Sequence, residues 1–138
     1  MRILGIDYGQ QRIGVAISDE MGIVATPLGN VEENGVNAAV AAIAKMVSER
    51  AVGKIVVGLP RNMDGSLGAK AQETQAFVEK LKARVKIPIQ TWDERLTTKA
   101  AERVLIKANV SRKKRREVVD KMAAQMILQS YLDSQQPL

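Results

Sequence analysis

Apolar positions along this chain switch between a strand-like and a helix-like period, and each switch marks an element. Arg2-Ile3-Leu4-Gly5-Ile6-Asp7 reads as a buried strand, and Gly9-Gln10-Gln11 as a turn. A second strand, Arg12 to Ser18, sets Ile13, Val15 and Ile17 in alternation with smaller residues. Asp19-Glu20-Met21-Gly22 turns the chain into a third, Ile23 to Thr26, which Pro27 should stop. From Gly35 to Arg50 the spacing of Val36, Val40, Ile43 and Val47 is helical. Residues 53–59 are a continuous apolar run, the mark of a strand covered on both faces.

After a loop, Pro60 to Gly68, a second helix reaches about Arg84, with Thr74, Phe77, Val78, Leu81 and Val85 on one side. Residues 86–92 give the last strand, and Thr97 or Thr98 can cap a third helix carrying Ala101, Val104, Leu105 and Ala108. Asn109 to Arg116 breaks the pattern and reads as a mobile segment before a final, Met-rich helix from Glu117 to Ser134. A three-strand meander followed by alternating helices and strands predicts an α/β fold: a mixed five-stranded sheet with helices on both faces, strands one, four and five parallel. Their carboxyl ends would share one edge, where open sheets place ligands.

The 138 residues suffice for one domain, 1–138, with a core of its own. Hydrophobic residues are 46% and charged residues 26%, as in an ordinary soluble globular protein. Aromatics at 3% weaken any model of single-strand binding by base stacking, and leave Trp92 and Tyr8 as the aromatics near the sheet edge. There is neither cysteine nor histidine, which removes disulfides, thiolate sites, the usual zinc ligands and a nucleophilic triad. Any metal must be held by oxygen, which points to magnesium or manganese. A formal charge of +6 favours a polyanionic partner. With neither a leader nor a membrane-length apolar stretch, the expected location is the cytoplasm.

Acidic residues stand where a carboxylate is a poor choice for folding alone. Asp7 ends the first strand, Asp93 and Glu94 end the last, and Asp120 precedes Ala123, Ala124, Ile127 and Tyr131 on an apolar helical stripe. If the last strand stays extended through Asp93 and Glu94, they point to opposite faces and at most one can face Asp7. Burying Asp120 without a partner would cost several kcal/mol, on the order given for an unpaired charge. Carboxylates converging from separate elements suit two-metal phosphodiester cleavage, which requires no histidine. Bland alternatives stand beside this: a turn aspartate at 7, a local ion-pair cluster of Asp93, Glu94 and Arg95, and a first-turn acid at 120. In the loop after the fourth strand, Arg61 and Asn62 are candidate phosphate contacts, whereas Asp64-Gly65 is a turn signal. The run Arg112-Lys113-Lys114-Arg115-Arg116 reads as an arm for a phosphate backbone.

Four ordered segments resemble the YqgF family: Ile6-Asp7-Tyr8-Gly9 with Gly14-Val15-Ala16, Gly58 to Gly65, Trp92-Asp93-Glu94-Arg95-Leu96-Thr97-Thr98, and Asp120-Lys121-Met122-Ala123-Ala124. The resemblance spans nearly the whole chain. It implies a ribonuclease H-like fold and a metal-dependent nuclease that trims the 5′ end of precursor 16S rRNA, or a Holliday junction resolvase. By the same analogy Asp7, Glu94 (or Asp93) and Asp120 hold Mg2+ or Mn2+, and Arg95 joins the nucleic-acid contacts. The implied partner is precursor rRNA or a ribosomal subunit, with branched DNA as the alternative, and no membrane; the chain acts as a monomer or a homodimer. Two rivals remain. The glycines after Asp7 also suit the phosphate loop of actin-like ATPases, and a non-catalytic ribosome-assembly module would keep the fold without cutting.

Overall fold

The computed structural model describes residues 1–9, 11–32, 34–95, 97, 108–109 and 111–136, with the backbone alone at 112 and 115–121. Three strands come first: β1 (Arg2–Tyr8), β2 (Ile13–Ser18) and β3 (Ala25–Val31). Then α1 (Val36–Glu49), β4 (Val52–Leu59), α2 (Ala69–Arg84) and β5 (Ile89–Asp93) alternate, and α3 (Arg112–Gln135) follows. The strands form one sheet in the order β3-β2-β1-β4-β5. β2 is antiparallel to β1 and β3, whereas β4 runs parallel to β1 and β5. This is the mixed five-stranded sheet that the apolar pattern predicts.

Period-2 alternation divides each strand between two cores. Leu4, Ile6, Ile13, Val15, Ile17, Ile55 and Val57 face α1 and α2, where Val40, Ile43, Phe77, Val78 and Leu81 cover them. Ile3, Ala16, Ala25 and Val56 face α3 and meet Ala124, Ile127, Leu128, Tyr131 and Leu132. β4 serves both faces, so Ile55, Val56 and Val57 are all fully buried and the sequence there is apolar without alternation. On the α3 side small residues let the helix approach closely. A β-carbon at Gly5 would stand 2.6 Å from Leu128 Cβ and 3.1 Å from the Ala124 carbonyl oxygen.

Polar bonds fix the position of α3 over the sheet. Gln129 accepts from the Ala25 amide at 2.9 Å and donates to the Ile23 carbonyl at 2.8 Å, and Gln125 donates to the Ala25 carbonyl at 3.1 Å. Across the sheet, Trp92 donates to Ser130 Oγ at 3.1 Å and Lys54 to the Tyr131 hydroxyl at 2.6 Å. Among the described residues no helix is long and apolar enough to cross a membrane.

Three expectations need correction. β3 does not stop at Pro27 but runs through it to Val31. It is an edge strand whose ladder with β2 shifts register between Val15 and Ala16, so the missing proline N–H interrupts no central ladder. β5 begins at Ile89 rather than at 86. The final helix begins at Arg112, not Glu117, so the cationic run is its first turns and not a mobile arm. Ser111 makes this start possible, because its hydroxyl accepts from the Lys114 amide as an N-cap. The helix expected after Thr97 falls mostly outside the described residues.

Candidate active site

The parallel strands β1, β4 and β5 bring their carboxyl ends to one edge, with Ile6 beside Val57, Gly58 beside Trp92 and Leu59 beside Asp93. Asp7 lies two residues past Gly5 on β1 and so on the face that α3 covers. The backbone turns helical at Glu94, immediately after β5. That turn separates two neighbouring carboxylates.

Asp93 turns to Arg95. It receives the Arg95 backbone amide at 3.0 Å and the guanidinium at 2.8 Å, and this pairing holds its carboxyl below the usual range. Glu94 turns the other way, and its carboxyl lies close enough to Asp7 to feel its charge. Burial, with the Asp7 charge second, pushes the Glu94 carboxyl up to about 7. Lys70, in the first turn of α2, acts in the opposite sense and favours the ionised form. Of the two acids at the end of β5, Glu94 is thus the one brought to Asp7, while Asp93 forms the local ion pair.

Room for Glu94 comes from a missing side chain. A β-carbon at Gly58 would lie 2.7 Å from Glu94 Oε1 and would also collide with Ile127 Cδ1. In front of Asp7 opens a cleft of about 540 Å³, whose walls include Gly9, Arg12, Gly14, Asn30, Lys70, Ala123 and Ala124. Gly9 has no freedom to change either, since a β-carbon there would stand 2.6 Å from the Arg12 carbonyl oxygen.

Asp120 sits in α3 four and seven residues before Ala124 and Ile127, both buried, so its helical register is that of the sheet-facing stripe. Its side chain lies outside the described residues. Among those that are described, no group of three or more acidic side chains forms. Lys113 and Lys114 are exposed, and the side chains of Arg112, Arg115 and Arg116 are again outside the described set.

The loop after β4 is closed on itself. The Asn62 amide N–H donates to the Ser66 carbonyl at 3.0 Å, the Gly65 N–H to the Asn62 carbonyl at 2.8 Å, and the Asn62 side chain to Ser66 Oγ at 3.0 Å. Asp64 accepts from both the Ser66 amide and hydroxyl, which holds its carboxyl low and makes it the turn residue expected. Arg61 donates to the Gly65 carbonyl at 3.2 Å, and Arg95 reaches across to the Met63 carbonyl at 3.4 Å. Tyr8 and Trp92 are both committed to packing: Tyr8 stacks on Phe77 at 4.4 Å, and Trp92 meets Tyr131 edge-on at 5.5 Å.

Sequence reasoning missed two residues of the site. Gly58 carried a signal, a glycine inside a buried strand, which marks a close approach by another group. Lys70 carried none, because an exposed lysine near a helix start is ordinary.

Comparison with known proteins identifies the family and the fold. The family model described as RuvX, Holliday junction resolvase, matches residues 1–134. A relative from Desulforamulus reducens named as a pre-16S rRNA nuclease is 48% identical over 97% of this chain and 98% of its own. One of the same name from Listeria monocytogenes is 50% identical over 97% of this chain and 99% of its own. Among solved structures, Thermus thermophilus RuvC in complex with a Holliday junction substrate aligns at a TM-score of 0.60 and 16% identity, covering 100% of this chain and 99% of that one. The fowlpox virus Holliday junction resolvase aligns at 0.53 and 11%, covering 97% and 99%. At these identities the likeness is one of fold, the ribonuclease H-like fold of the RuvC resolvases.

Proposed function

The chain belongs to the RuvX/YqgF family, and from that premise we propose that it is a divalent-metal-dependent nuclease that processes the 5′ end of precursor 16S rRNA. The observation that carries this reading is the approach of the Glu94 carboxyl, over Gly58, to Asp7, which lines the cleft. Two acids set together beside few cations repel one another, and a bound cation removes that cost. The donors at hand are carboxylate oxygens, which fit magnesium or manganese; the chain has no cysteine or histidine for a softer ion.

Asp7 and Glu94 would hold the ion together with Asp120, whose helical register is that of the buried residues Ala124 and Ile127. A divalent ion held there would supply activation of a water and compensation of charge on the scissile phosphate. Lys70 lines the cleft with Arg12 and acts on the Glu94 carboxyl, and these two cations would hold a phosphate oxygen across it. Asp93 supports the site by fixing Arg95, which leaves Arg61, Asn62, Arg95 and the run 112–116 to contact the nucleic-acid backbone. The protein works in the cytoplasm, where its substrate is made, as one nuclease domain over residues 1–138.

A second reading, cleavage of branched DNA, is favoured by the family description and by the fold shared with RuvC. One experiment separates the two. Purified protein with Mg2+ or Mn2+ is offered a precursor 16S rRNA end and a four-way DNA junction side by side. Cleavage of the RNA, lost in Asp7→Asn, supports the proposal. Cutting of the junction alone supports the resolvase, and no metal-dependent cutting of either supports a non-catalytic assembly module.

A further inference from the structure

Met63 is 90% exposed, the most exposed of the large apolar side chains described, yet the loop carrying it is closed by hydrogen bonds on either side of it. The Asn62–Ser66 bonds close the loop beneath it, Asp64 fixes the turn, and Arg95 grips its carbonyl oxygen. Gly65 adopts φ +88, which lets the turn close. A chain that merely tolerated an exposed methionine would not need so many bonds to aim it. The loop is anchored next to the candidate site, because Arg95 is the neighbour of Glu94 and the ion-pair partner of Asp93. Arg61 of the same loop and Lys70 beyond it add cations, which match a polyanion such as a phosphate chain and not a basic or apolar surface.

The aromatics close to this edge are unavailable for stacking. Tyr8 is spent on Phe77, and Trp92 on Ser130 and Tyr131. Of the two exposed large apolar side chains in this loop, Met63 at 90% and Leu67 at 37%, Met63 is the one fully presented to a nucleic acid. Apolar side chains of this kind, methionine among them, act as wedges that enter between stacked bases.

We propose that Met63 is a wedge that separates two adjacent bases of the substrate beside the cleaved bond and so lets the backbone kink into the cleft. The inference rests on the nuclease reading for its substrate but concerns binding geometry, not the metal chemistry. Unstacking draws the phosphate away from a regular helix toward Asp7 and Glu94. It predicts a preference for strands whose bases separate easily, such as unpaired or branched segments, over continuous duplex.

The test is fluorescence of 2-aminopurine, which brightens when it loses its stacking neighbours. The probe is walked through successive positions around the bond that wild-type protein cuts in the precursor-rRNA end, and binding is measured without metal. Wild type should brighten one position sharply. Met63→Ala should abolish that signal and lower cleavage of base-paired substrate by roughly tenfold, the scale of losing one unstacking contact. Met63→Leu should retain both. Because Met63 is exposed, the melting temperature of each variant should match wild type, which excludes misfolding as the cause. A Met63→Ala protein that brightens the same position and cleaves as wild type overturns the wedge and leaves the nuclease reading standing. If wild type cuts no substrate, the nuclease reading fails. The walk is then repeated along the whole bound strand, and a signal that depends on Met63 still supports the wedge.

Discussion

Glu94 reaches Asp7 across the place where Gly58 lacks a side chain: a β-carbon at position 58 would stand 2.7 Å from Glu94 Oε1. The same atom would collide with Ile127, a fully buried anchor of α3. Gly58→Ala therefore has two separable effects. Overpacking against Ile127 should lower stability by about 1–3 kcal/mol. Displacement of Glu94 should lower cleavage at 25 °C, where the protein is still folded, by at least about tenfold. Pairing it with Ile127→Val, which makes space, should restore stability more than activity. Full activity in folded Gly58→Ala would show that the Glu94 position is not critical.

The Glu94 carboxyl also makes metal-free stability depend on pH. Its folded value of about 7 is above the ordinary carboxylate value, so the native state binds the extra proton between roughly pH 4.5 and 7. Stability linked to this group is present below that window and is lost as pH rises through it, on the order of 3 kcal/mol in all. Melting temperature measured in chelator should thus fall between pH 5 and pH 8. Glu94→Gln should flatten this part of the profile, and a slope that survives the substitution assigns it to another group.

Much of this arrangement was readable before any coordinates. The two faces of β1 and β2 follow from strict alternation, and the double coverage of β4 follows from its unbroken apolar run. The choice between Asp93 and Glu94 was not readable, because alternation applies only while the strand stays extended. Here the chain turns helical at Glu94, and the direction of each carboxylate depends on Arg95 for one and Gly58 for the other. The start of α3 was hidden for a different reason. Five cations in the first turns oppose the helix dipole and carry no apolar period, so local rules argue against a helix that Ser111 nevertheless caps.

Asp93→Asn and Glu94→Gln should differ in kind. Asp93 is partly exposed, at 24% for its side chain, and its pair with Arg95 is worth no more than about 1 kcal/mol. Its loss loosens Arg95 and the Met63 loop, so KM should rise more than kcat falls. Glu94→Gln keeps shape but removes a charge from the reaction centre, and kcat should drop by about a hundredfold or more, as when one electrostatic group of a catalytic site is deleted. If Asp93→Asn is the more damaging to kcat, the assignment within the pair must be reversed.

Asp120→Asn tests the third carboxylate through two readouts. Cleavage should fall at any metal concentration. Wild type should gain melting temperature on addition of millimolar Mg2+ through binding to the folded state, and the variant should gain less. An unchanged metal-induced shift would remove Asp120 from the metal site and leave it as a residue of the α3 stripe.

The cationic start of α3 sets stability against binding. Positive charge at a helix N-terminus is unfavourable by a few tenths to about 1 kcal/mol per group, so these residues weaken the free protein. Replacing Arg112, Lys113, Lys114, Arg115 and Arg116 with glutamine should therefore raise the melting temperature without nucleic acid. The same change should weaken RNA binding and flatten its salt dependence, since each lost phosphate contact removes roughly 0.7 to 0.9 from the log–log slope. Turnover at saturating substrate should change little, because these groups act in docking and the carboxylates act on the reacting phosphate. A variant that is no more stable, binds with the same salt slope and turns over more slowly would place this helix end in the catalytic machinery instead.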